Sequence, residues 1–112
     1  ITEGVFDAIV AGPNSIPLLG STMTENSLLL RKLIEHDSAI YLALDPDAYE
    51  KELKIMKLLL DFDLEVYKVD INGFNDLGEM PRNEFTLRKK KAERILQEDL
   101  FELTARNLLE GL

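Results

Sequence analysis

AIYLALDPDAYEKELKIMKLLLDF, Ala39 to Phe62, decides how this chain folds. The first six residues form a near-continuous apolar run, the mark of a parallel strand buried on both faces. The run drives straight into Asp45 and Asp47 with Pro46 between them. From Ala48 on, Leu53, Met56, Leu59 and Leu60 recur at helical spacing, while Glu50, Lys51, Lys54 and Lys57 take the opposite face. Strand, acidic turn and helix therefore follow one another without a linker.

Upstream, STMTENSLLLRKLIEH reads as a helix, with Thr22 and Glu25 at capping-box spacing and Leu29, Leu30, Leu33 and Ile34 on a broad apolar stripe. SIPLLG reads as a short strand, and Pro17 argues for an edge position. A short helix from Val5 to Val10 ends at the turn formers Gly12, Pro13 and Asn14. Downstream, LEVYKVDI reads as the last strand and NGFNDLGEMPRN as a loop. A long helical pattern, broken at most once, runs from Glu84 to Leu109, with Phe85, Leu96, Leu100, Leu103 and Leu108 available to pack it back on the sheet. Strand and helix alternate, which predicts an α/β domain with a parallel sheet between helices. Ligands of such sheets gather at the carboxyl ends of the strands, and Asp45 stands there.

Composition narrows the functions. With 112 residues, 46% of them hydrophobic and 30% charged, the chain has the size and balance of one domain with one core. No apolar run approaches the ~18 residues that span a bilayer, and no basic, apolar, small-residue leader opens the chain. It contains no cysteine, which fits a reducing cytoplasm and leaves no thiolate metal site. A net charge of −8 argues against a general nucleic-acid binder, which carries a basic footprint. Such a charge suits a domain that handles metal ions and leaves strand binding to neighbouring segments. Ile1, in place of Met, reads as the start of an excised piece.

Three acidic clusters stand out: Glu3 and Asp7 in TEGVFD, Asp45 and Asp47 in DPD, and Asp76 and Glu79 in NDLGE. In a parallel sheet all three collect at one edge, where their mutual repulsion favours a divalent cation. A glutamate followed by glycine, with an aspartate four residues after the glutamate, then an apolar strand ending in Asp-x-Asp, resembles the TOPRIM domain of bacterial-type primases, topoisomerases and some nucleases. The likeness covers about residues 1–80 and is best to phage-type primases and primase-helicases. It implies a Rossmann-like parallel β-sheet sandwiched by α-helices, with a catalytic domain over 1–82 and a helical C-terminal extension over 83–112. It also implies Glu3, Asp45 and Asp47 as catalytic residues, and Glu3, Asp7, Asp45, Asp47 and Asp76 around Mg²⁺ or Mn²⁺. The activity implied is primer synthesis on single-stranded DNA from nucleoside triphosphates, beside other domains of a parent protein and a replicative helicase. One departure is plain: the family has a full strand before its glutamate, and only Ile1 and Thr2 precede Glu3, so the first strand is largely missing.

The same residues carry plainer readings. Asp47 suits the N-cap of the following helix with Glu50 at its third position; Asp-x-Asp occurs in many surface turns; Asp76 and Glu79 suit a solvated loop. Arg88, Lys89 and Lys90 belong to the sole basic cluster, RKKK, which is either a solvated helix face or a contact for template or nucleotide phosphates. His36 suits the negative end of a helix. Two other readings of the whole remain open: a nuclease or topoisomerase with the same metal site, and a non-catalytic interaction module.

Overall fold

A computed structural model describes residues 1–2, 14–16, 27–37, 39–74 and 77–111. The elements are α1 (Leu28–His36), β1 (Ile40–Leu42), α2 (Tyr49–Asp61), β2 (Val66–Lys68), α3 (Arg82–Lys90), β3 (Glu93–Ile95) and α4 (Gln97–Glu110), with short 3-10 turns at Pro46–Ala48 and Leu77–Glu79. The expected capping box, the short first helix and most of SIPLLG lie outside the described residues.

The strand order is β1-β2-β3. β1 and β2 are parallel, with Ile40 opposite Val66 and Leu42 opposite Lys68. On the free side of β1, Thr2 forms a parallel bridge to Ala43, and the Thr2 amide donates to the Ile16 carbonyl at 3.0 Å. Ile1 and Thr2 thus occupy strand positions beside β1.

The expectation of an all-parallel sheet needs correction. β3 runs antiparallel to β2, with Val66 opposite Ile95 and Lys68 opposite Glu93. LEVYKVDI is therefore not the last strand, and the helical pattern from Glu84 to Leu109 is two helices around a strand. Helix propensity is a weak preference, and pairing with the open edge of β2 outweighs it here. Ile95, buried on that edge, is the residue that profits.

Alternation along the strands builds two cores. Ile40, Leu42, Leu44, Val66 and Ile95 face α2 and α4, meeting Leu53, Ile55, Met56, Leu59 and Leu100, with Leu30 of α1 beside them. On the other face Ala43, Val69 and Ile71 meet Leu77, Met80 and Phe85 of α3. Helices therefore cover both faces. Of the residues expected to pack the tail, Phe85 and Leu100 are buried and Leu103 is partly so; Leu96 and Leu108 are exposed. Leu60 is half-buried.

The stop after α2 is specified locally. Asp63 adopts a left-handed φ of 60°. Its amide donates to the Leu60 carbonyl and the Leu64 amide to the Leu59 carbonyl, the paired bonds of a Schellman motif with aspartate in the usual glycine position. At the other turn, the Leu96 amide donates to Asp99 Oδ2 at 2.8 Å and starts α4. α4 packs along α2 in the opposite direction: Gln97 hydrogen-bonds Asp61 at one end, and Arg106 and Glu110 act on Tyr49 at the other. Among the described residues no helix is long and apolar enough to cross a membrane.

Candidate functional site

The carboxyl ends of β1 and β2 open into a cleft of about 390 Å³. Asp45, Pro46 and Tyr49 form one wall, Asp70, Ile71 and Asn72 the other, with Glu52 and Lys68 in its lining. Asp45 comes here because Leu44 is fully committed to the core and the chain must turn after it. Pro46 opens the 3-10 turn with a preset φ, and the Ala48 amide donates to the Asp45 carbonyl at 2.9 Å. Asp45 is half-buried, and its Oδ1 is wholly so.

Asp47 does not share this position. It sits inside the 3-10 turn, exposed, and is not part of the cleft lining. Nor is it the N-cap of α2: Ala48 holds that place and no side chain caps it. The turn displaces the helix start by one residue. Its carboxylate still lies near the positive end of α2, where a negative charge is favourable. Glu3, Asp7 and Asp76 lie outside the described residues.

Glu52 is the residue that the sequence reading overlooked. It is 2% exposed. Its Oε2 accepts from the Leu44 amide at 3.2 Å, and its Oε1 lies 3.3 Å from Lys68 Nζ. Lys68 also donates to the Val69 carbonyl at 2.8 Å. Burial pushes the Glu52 carboxyl up from its usual 4.5, against the pull of the Lys68 ammonium and the Leu44 amide. The signal was available: Glu52 precedes Ile55, Met56 and Leu59 by three, four and seven residues, which puts a carboxylate on the apolar stripe of α2.

Asp70 was overlooked as well. Its Oδ1 accepts from the Asn72 amide at 2.8 Å and shapes the loop after β2. Arg88 braces that loop from α3. It donates to the Asp70 and Asn72 carbonyls at 2.8 and 2.9 Å, pairs with Glu84 at 2.9 Å, and lies 5.3 Å from the Phe74 ring centre. Lys89 points elsewhere, with its Nζ 5.0 Å above the ring of Tyr41, which stacks on Tyr67 at 4.7 Å. Lys90 is exposed. The basic cluster therefore splits into a loop brace at Arg88, a ring contact at Lys89 and two solvated charges at Lys90 and Lys91.

The cleft's acceptors are oxygens, the donor type that Mg²⁺ takes, commonly from one or two carboxylates with water completing the shell. Asp45 and Asp70 fit that chemistry. Among the described residues no group of three or more His, Cys, Asp or Glu side chains gathers closely enough to hold an ion by itself. Compared with models of protein families, with curated proteins and with solved structures, the chain finds no match.

Proposed function

We propose that this chain is a metal-dependent phosphoryl-transfer domain of TOPRIM type, serving primer synthesis from nucleoside triphosphates on single-stranded DNA. The observation that carries the reading is the bridge between Thr2 and Ala43. Thr2 immediately precedes Glu3, and Ala43 stands two residues before Asp45. Thr2, next to Glu3 in the sequence, and Ala43, just ahead of Asp45, are thus paired in parallel, which supports the reading. Asp45, with Asp70 opposite, would hold Mg²⁺ or Mn²⁺ at that edge; the ion, when bound, neutralises charge on the phosphates. Lys68 keeps the Glu52 carboxylate compensated beneath the site, and Arg88 keeps the Asp70 loop in place.

Mn²⁺ titration of isotope-labelled protein tests this. Paramagnetic broadening is expected to be confined to Thr2, Leu44 to Pro46 and Asp70 to Asn72. Asp45→Asn is expected to weaken binding by roughly tenfold or more; Asp47→Asn, on an exposed carboxylate outside the cleft, should change it by less than about threefold. A folded protein with no localised broadening sinks the reading. It would favour an interaction module instead, for which the exposed Phe101, Leu108 and Leu109 on α4 are the supporting observation.

A further inference from the structure

We infer that Glu52 is a positioning residue that sets where Asp45 sits, acting through the Leu44 amide, with Lys68 as the charge that lets a carboxylate do this inside the core. The inference rests on the metal-site reading above for its functional meaning, though not for its geometry.

Three observations converge. Glu52 is the one described acidic side chain that is buried. An isolated buried carboxylate is costly, so its presence calls for a compensating role or partner. Next, its two oxygens reach two different strand ends: Leu44 after β1 at 3.2 Å, and Lys68 at the end of β2 at 3.3 Å. It therefore ties together the two walls from which Asp45 and Asp70 emerge. Last, Leu44 is past the last paired residue of β1, and its amide is held by Glu52 where the strand ladder has ended. Asp45 then leaves with φ −61° and ψ 151°, an extended conformation that sends the chain to the cleft. The Glu52 acceptor thus holds Leu44 one residue ahead of the Pro46 turn.

A group that merely filled the core would be replaceable by an apolar side chain of similar volume, often with no loss of stability. A positioning group would not, because it controls the geometry of a ligand it does not itself supply, and such outer partners commonly govern metal affinity by 10–100-fold. Glutamine beside Lys68→Met separates the two roles: with no ammonium competing for it, the side-chain carbonyl still accepts from Leu44 while both charges are gone.

The experiment measures Mn²⁺ affinity and residue-resolved amide exchange in the unaltered chain, Glu52→Gln/Lys68→Met, Glu52→Met and Glu52→Met/Lys68→Met. The double methionine variant leaves no unpaired lysine and serves if Glu52→Met alone does not fold. Glu52→Gln/Lys68→Met is expected to stay within about threefold of the parent affinity. The Glu52→Met variants should lose roughly tenfold or more, with faster exchange confined to Leu44 and its neighbours. Methionine variants that fold and keep both the affinity and the Leu44 protection would overturn the inference and leave Glu52 a structural charge. If the parent chain binds no Mn²⁺, the proposed function falls instead. The exchange data then decide the positioning role alone: acceleration at Leu44 in the methionine variants, restored by glutamine, supports it, and unchanged protection refutes it.

Discussion

Lys68, the last residue of β2, and Lys89 of α3 lie on opposite faces of the sheet, and they do different work. On the α2 side, Lys68 faces a carboxylate that water scarcely reaches, and the pair joins two strand ends. On the α3 side, Lys89 lies over Tyr41 in a half-exposed row with Tyr67, where the Tyr67 hydroxyl donates to Glu65 at 2.9 Å. The same ion is thus a compensating charge on one face and a surface contact on the other. Solvent decides the difference: removing one member of a buried pair strands the other, whereas an exposed cation exchanges its partner for water.

The largest test of that contrast is Lys68→Met. It strands Glu52 and is expected to cost about 2 kcal/mol at neutral pH by urea denaturation, less than the usual penalty for a fully buried pair because Glu52 can take a proton instead. The pH dependence has a definite sign. A raised folded pKa means that Glu52 contributes most below its unfolded value of 4.5, and that this contribution is lost as pH rises through the folded pKa. Lys68→Met raises that pKa further, so the variant should lose stability relative to the parent from pH 4.5 upward. Glu52→Gln should remove this component of the pH dependence. A flat difference between Lys68→Met and parent from pH 4 to 8 would break the contrast.

Next in size is Arg88→Met, which removes charge-assisted bonds to two loop carbonyls. A loss of about 1.5 kcal/mol is expected, with faster exchange at Asn72. On the other face, a double-mutant cycle of Tyr41→Leu and Tyr67→Leu should give a coupling of about 1 kcal/mol from the ring stack. Lys89→Gln should cost only about 0.5 kcal/mol. Should Lys89→Gln exceed Lys68→Met, the ranking of the two faces is wrong.

What could be read from the residues divides along the same physical line. The β1–turn–α2 segment was legible because burial, Pro46 and the spacing of Leu53, Met56 and Leu59 all act locally. β3 was not: Glu93, Arg94 and Ile95 hold one apolar residue among three, and only the distant edge of β2 makes them a strand. Asp45 was legible from its place after an apolar run. Asp47, two residues on, was read into the same role, and the 3-10 turn that separates them depends on backbone geometry that a one-line pattern does not display. Glu52 was hidden by habit, since a glutamate among lysines reads as surface, although its register with Ile55, Met56 and Leu59 marks it as inward. Arg88 read as part of a basic face; its partners, the carbonyls of Asp70 and Asn72, are 18 and 16 residues away in the chain.

The antiparallel β3 also makes α4 a ruler. Because β3 starts beside Lys68 and ends beside Val66, the chain enters α4 at the end of the sheet remote from the cleft and climbs back along α2 until Arg106 and Glu110 reach Tyr49. Positions along that one helix therefore sample a graded series of distances from the cleft. A spin or fluorescent label moved step by step along its exposed face, from Glu98 through Phe101 to Leu108, would report an event at Asp45 with a response that grows at each step.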